Sequence, residues 1–308
     1  MTSTAVVIVS GGDAVSPFTT PTQACATGLA AGNTDTALRQ FLLARGRAVY
    51  TSPAMNARGP VVDQDGFGAF GGMPVTLPDI MTVNSTGDID LAGEHLARFL
   101  GYLHSEHGVT AIHIVAHSMG GLFSRAAIRV LKLTDSPVRV LSLTTLGTPW
   151  TGSLVGDFVI GDATLADCAG DEFTEMVVTE FKKRAATLPV GAAQQVTHRY
   201  LMGESGWNEA QAGVLDGIPV TLIGATYFAA DGAPQYWPHD GFVSEFSALA
   251  TGISDAVLPH RVAHTFKRTH SIFTSNAIGA DWNTALTWDP EVLEVVAGAI
   301  DGASRASI

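Results

Sequence analysis

The alternation of apolar and polar positions divides the chain into strand-length and helix-length pieces. The first apolar run, AVVIV at residues 5–9, stops at Ser10-Gly11-Gly12, as a buried strand stops at a tight turn. Leu38, Phe41 and Leu42 share a helical face and predict a helix around 34–45. RAVYTSP, from Arg47 to Pro53, predicts a second strand. Residues 53–87 are rich in Gly, Pro and Asn with apolar islands, which predicts a long surface loop of the kind that usually serves function. A helix follows at about 88–106, with Asp88 and Asp90 at its N-terminal end and Leu91, Leu96, Phe99, Leu100 and Leu103 along one face. Ile112, Ile114 and Val115 then predict a buried strand, and Leu122, Phe123, Ala126, Ala127 and Ile128 a helix directly after it.

Further along, VRVLSLTTLGTPW (138–150) predicts a buried strand running into a loop. Residues 151–217 read as helical pieces, with Phe173, Met176, Val177 and Phe181 at helical spacing. IPVTLIGAT (218–226) and HRVAHTF (260–266) predict two more strands. Pro290 opens a final amphipathic helix over 290–301, carried by Val292, Leu293, Val296 and Ile300. Strands alternating with helices predict an α/β fold: a single domain with one mostly parallel sheet and helices on both faces. Residues 151–217 form an insertion in it, a candidate lid, and not a second domain.

Composition narrows the picture. Hydrophobic residues make up 46% of the 308 and charged residues 15%, enough for a sizeable core and against disorder. The net charge of −12 disfavours nucleic acid and anionic membranes, which reward clustered Lys and Arg. A neutral or cationic substrate, or an uncharged lipid interface, stays open. No apolar run reaches the roughly 18–20 residues that span a bilayer. The chain enters its first strand with no charged leader, which fits either a cytoplasmic protein or a mature secreted form. The two cysteines, Cys25 and Cys168, have no metal spacing and read equally as buried thiols or as one disulfide.

Chemistry concentrates at Ala116-His117-Ser118-Met119-Gly120, between the strand ending near 115 and the helix beginning near 120. This fits G-x-S-x-G with Ala for the first Gly. A nucleophile on such a turn needs small neighbours, and the helix N-terminus supports the developing negative charge. A helix-capping serine is the bland alternative. An oxyanion hole at this turn would use the backbone N–H of Met119 and one from the loop after the first strand, Gly12, with Asp13 as the alternative.

AHSMGG, LGTPWTGS (146–153) and HDGFVSEFSA (239–248) together resemble the bacterial lipase and esterase branch of the α/β-hydrolases, with its GHSxGG, GTPHxGS and DGxV segments. The resemblance spans most of the chain. It implies the α/β-hydrolase fold, serine hydrolysis and an extracellular location. The chain departs from it at Ser10, where the family's oxyanion loop usually has His, and at Trp150, where the family has His. Chain order in this fold is Ser, acid, His. The acid is then Asp240, by the DGFV segment, or Asp231. The base is His270, just past the last strand, with His264 second. His260 and His264 lie within that strand, and His117 beside the nucleophile reads as structural.

Other motifs fall away. GFGAFG (66–71) lacks a preceding strand for a dinucleotide site, and DIDLAG (88–93) lacks the oxygen ligands of a calcium loop. No metal or cofactor is implied. Trp150, Leu154 and Phe158, together with Val155, Val159 and Ile160 and the apolar stretch 66–81, are candidate pocket residues, or else core. The expected substrate is a lipid or other apolar ester, glycerides first. An acyltransferase, an amide hydrolase, or an inactive binding member of the fold are the alternatives.

Overall fold

The structure is a computed structural model describing residues 3–23, 34–62, 75–187 and 191–306. Its strands are β1 (Ser3–Val9), β2 (Val49–Thr51), β3 (Ala54–Met55), β4 (Val83–Asn84), β5 (Val109–His117), β6 (Arg139–Leu146), β7 (Val220–Ala225) and β8 (Arg261–Phe266). Six of them form one sheet in the order β2-β1-β5-β6-β7-β8, every neighbouring pair parallel. The helices are α1 (Thr36–Ala44), α2 (Ile89–His107), α3 (Gly120–Leu133), α4 (Leu154–Ile160), α5 (Glu172–Ala185), α6 (Ala192–Gln195), α7 (His198–Met202), α8 (Glu245–Ala248), α9 (Ile272–Ala277) and α10 (Pro290–Ala306).

The period-2 pattern of β1 sorts its side chains onto two cores. Val7 and Val9 pack with Leu96 and Leu100 of α2 and Phe123 and Ala127 of α3. Val6 and Ile8 point the other way, onto Leu38 and Leu42 of α1 and Val292 and Val296 of α10. The sheet is thus covered on both sides, as its continuous apolar strands require. DIDLAG begins α2: the Asp88 side chain accepts from Leu91 N–H, and Gly108 in the left-handed region ends the helix at φ 66°.

Five elements depart from the expected pattern. Residues 53–87 are not all loop, because β3 and β4 pair in parallel there. Segments of two residues are too short to show alternation. The short helices α8 and α9 likewise carry no readable period, and α10 runs on past residue 301 to Ala306. Part of the expected apolar stretch 66–81, the GFGAFG segment and Cys25 lie outside the described residues. Cys168 is buried and free.

Strand order reverses between β1 and β5. Their C-terminal ends therefore flank the switch point of the sheet, where parallel α/β folds bind ligands. Ser118 follows β5 directly and Ser10 follows β1.

Candidate active site

Ser118 takes a left-handed backbone conformation, φ 54°, which is uncommon for a residue with a side chain. The surrounding backbone holds it there. Its N–H donates to Leu146 O at 2.8 Å, and its carbonyl accepts from Thr148 Oγ1 at 2.7 Å and from Gly121 N–H at 3.1 Å. The small residues of AHSMGG have a steric cause. A Cβ at Gly120 would lie 2.4 Å from Val9 O, and one at Gly121 2.3 Å from Thr148 Oγ1. Ser118 itself is half-buried and opens onto a cavity of about 450 Å³ that Gly11, Gly12, Met119 and His270 also line.

His270 lies in the turn between β8 and α9, and Asp240 in the loop after β7. The structure brings them together: His270 Nδ1–H donates to Asp240 Oδ2 at 2.7 Å, and His270 N–H donates to Asp240 O at 2.8 Å. That bond assigns the proton to Nδ1 and leaves Nε2 as the acceptor nitrogen. Asp240 is fully buried, and its other oxygen accepts from Phe242 N–H at 2.9 Å and Val243 N–H at 2.8 Å. Gly147 is pressed against the pair. It has φ 58°, and a Cβ there would stand 2.8 Å from Asp240 Oδ2 and 3.0 Å from His270 Nδ1. The LGTP segment thus closes one side of the acid and base.

The alternatives lie elsewhere. Asp231 and His260 are exposed, and His264 sits on the edge strand β8, outside the cavity lining. His117 belongs to the site as support. Its Nε2–H donates to the His270 carbonyl at 2.8 Å, and the two rings lie 4.6 Å apart. Burial first, and then the neighbouring His270, depress its pKa to about 3, so it stays neutral and keeps that bond.

Gly11 and Gly12 bring the loop after β1 against the nucleophile. A Cβ at Gly11 would be 2.5 Å from the Ser118 Cβ and 3.1 Å from its Oγ, while one at Gly12 would meet Met119 Sδ at 2.6 Å. Asp13 N–H is committed to Ser85 O at 3.3 Å; among the described residues the amides of Gly12 and Met119 have no acceptor.

The pocket residues need correction. Trp150 is fully buried away from the cavity, its indole N–H on Thr145 Oγ1 at 3.2 Å and its ring 4.4 Å from the buried Arg125 guanidinium. Leu154 and Phe158 pack on a separate core with Phe228 and Trp237. The cavity is lined instead by Val155 and Val159, one position on along the same helix, together with Phe181, Phe242 and Phe273. Of the residues expected here, Val155 and Val159 reach the cavity, while Trp150, Leu154, Phe158 and Ile160 do not. One residue turns a helix by about 100°, and α4 is apolar on both faces, so its sequence alone could not orient it.

Two contacts legible only in three dimensions tie the insertion to this site. His239 Nδ1 accepts from Gly241 N–H at 3.0 Å, so its Nε2–H donates to Thr174 Oγ1 of α5 at 3.2 Å. Burial lowers the His239 pKa to about 4. Arg184, in the last turn of α5, pairs with Asp13 at 2.5 Å, and both line the cavity.

Residues 80–161 match the family model described as "Putative serine esterase (DUF676)". Triacylglycerol lipases of Pseudarthrobacter phenanthrenivorans and Burkholderia plantarii are each 39% identical over 67 residues, 22% of this chain. That stretch covers 19% and 17% of those proteins, so the likeness is confined to under a fifth of their length. Among solved structures, the mature lipase BlEst2 of Bacillus licheniformis is similar with a TM-score of 0.51 at 16% identity, over 88% of this chain and 87% of that one. A carboxyl esterase of Bacillus coagulans in complex with glycerol gives 0.51 at 11% identity, over 98% and 91%. The fold is that of the α/β-hydrolase lipases and esterases.

Proposed function

We propose that this chain is a carboxylic ester hydrolase of lipase type, with Ser118 as nucleophile, His270 as general base and Asp240 orienting it. The observation that carries the reading is a single cavity lined by a strained serine and by an imidazole whose far nitrogen is bonded to a buried carboxylate. Ser118 Oγ attacks the ester carbonyl while His270 Nε2 takes its proton, and Asp240 stabilises the resulting imidazolium. The oxyanion forms beside the uncommitted amides of Gly12 and Met119, each worth about 3–4 kcal/mol of barrier. His270 then protonates the leaving alcohol, and water releases the acid from Ser118.

Val155, Val159, Phe181, Phe242 and Phe273 make the cavity wall apolar, which supports an apolar acyl chain as the group bound, glycerides being the first candidates. The segment 151–217 supplies several of these residues and acts as the lid. The test is hydrolysis of p-nitrophenyl butyrate and laurate and of emulsified tributyrin, with Ser118→Ala as control. Turnover that rises at the emulsion and disappears in the variant is expected. Activity on short soluble esters alone would remove the lipase half of the reading, and activity surviving in Ser118→Ala would remove all of it.

A further inference from the structure

Asp35 stands at the N-cap of α1, where an aspartate normally accepts from the first amides of its helix. Here its side chain makes no cap hydrogen bond. Oδ2 instead accepts from Ser10 Oγ–H at 2.6 Å, and Oδ1 has no partner among the described residues. Ser10 Oγ in turn lies 2.7 Å from Ser16 Oγ. With the Ser10 proton committed to the carboxyl, the proton of this second bond comes from Ser16. All three residues are buried, Asp35 to 2% exposure. The carboxyl has therefore given up both water and its helix cap to hold one hydroxyl.

The position of that hydroxyl gives the arrangement its purpose. Ser10 is the residue before Gly11 and Gly12, and a Cβ at Gly120 would lie 2.7 Å from the Ser10 carbonyl. The loop is thus clamped between the nucleophile turn on one side and Asp35 on the other. It is also the place where the lipase and esterase pattern usually has His.

We infer that Asp35, through the Ser10 hydroxyl, is a positioning residue that holds the Gly12 amide where the oxyanion develops. This rests on the proposed serine hydrolysis. It adds that the loop's placement depends on a side-chain clamp and not on glycine geometry alone. A loop released from the clamp binds substrate as before but misplaces a donor that acts in the transition state. The loss then falls on kcat and spares KM.

The experiment compares wild type, Ser10→Ala, Asp35→Ala and Asp35→Asn, each shown folded by thermal unfolding. It measures kcat and KM for p-nitrophenyl butyrate and inhibition by an alkyl trifluoromethyl ketone, which forms a tetrahedral oxyanion on the serine. Ser10→Ala and Asp35→Ala should each lower kcat about 10- to 100-fold, with KM within about twofold and ketone affinity falling in parallel. Asp35→Asn, whose amide oxygen still accepts from Ser10, should stay within about threefold of wild type. If Asp35→Ala does not fold, Ser10→Ala carries the test by itself. The inference is overturned if kcat stays within about twofold in Ser10→Ala, if the loss appears in KM while ketone affinity holds, or if Asp35→Asn is as damaged as Asp35→Ala. A wild-type protein inert to esters and to a fluorophosphonate would overturn the esterase reading, and this inference with it.

Discussion

Among the described residues, two buried carboxylates are bonded to imidazoles, and the two pairs differ at the far ring nitrogen. Asp240 holds His270 at 2.7 Å on the carboxyl edge of the sheet, and Asp157 of α4 holds His198 of α7 at 2.6 Å within the insertion. Both carboxylates are almost fully buried and both are satisfied by further donors. Phe242 and Val243 N–H serve Asp240, while His198 N–H and the Tyr236 hydroxyl serve Asp157. His270, however, shares a cavity with Ser118, whereas His198 Nε2 is buried with no hydrogen-bond partner among the described residues and lies outside that cavity. An aspartate and a histidine in contact are thus a scaffold element in one place and, in the proposed mechanism, the acid and base of a triad in the other. The neighbouring nucleophile and the space for a substrate make the difference.

The contrast breaks most visibly at the histidines. Ser118→Ala or His270→Ala should lower kcat about 10⁶-fold, while His198→Ala should leave kcat within about threefold and lower the unfolding temperature. Steady-state kinetics on p-nitrophenyl butyrate, run beside thermal unfolding, measures both.

At the carboxylates the gap narrows. Asp240→Asn should cost about 10⁴ in kcat through the wrong imidazole tautomer. Asp157→Asn should instead cost about 2 kcal/mol of stability, because one oxygen serves both Tyr236 and His198. Urea unfolding reads that loss.

A third expectation concerns acid. Burial depresses His117 to about 3, and His113 and His239 to about 4. From about pH 6.5 downward the unfolded chain takes up protons that these rings refuse, so stability falls as pH falls. Asp35, raised to about 6 by burial, works in the opposite sense: its neutral form favours the fold below that pH, and the benefit is lost as pH rises through 6. Asp13, also raised by burial, works in the same sense as Asp35, but the three histidines outweigh the two carboxyls, and a net loss of stability from pH 7 to pH 5 is expected. Urea unfolding across that range checks it, and His113→Gln should flatten the slope.

The smallest effect belongs to Arg184. Its pair with Asp13 is partly exposed, 48% and 30%, so Arg184→Ala should change stability by about 1 kcal/mol or less. Any effect of that variant on KM should fade at about 1 M NaCl, where such pairs are screened.

The same contrast explains what could be read in the chain. The catalytic half lies in local motifs: a strand, one serine, two glycines and a helix, each glycine required by a contact under 3 Å. The continuous apolar run of β1 and the apolar faces of α2 and α10 likewise indicate a sheet covered by helices on both sides. Asp240 was legible only through the DGFV segment, and His270 through its place after the last strand. The insertion gave no such signal. Asp157 and His198 stand far apart in the chain and meet by packing. Val155 and Val159 differ from Leu154 and Phe158 by a helical phase that α4, apolar on both of these faces, does not disclose. Asp35 and Ser10 likewise stand apart in the chain and are joined only by packing.

The most direct test of the central claim is a crystal structure of the enzyme inactivated by an alkyl fluorophosphonate. The expected result is one adduct on Ser118 Oγ, its phosphoryl oxygen within about 2.7–3.1 Å of both the Gly12 and Met119 amides and His270 Nε2 facing the serine. An adduct on another residue, an unreactive Ser118, or a phosphoryl oxygen pointing away from both amides would contradict it.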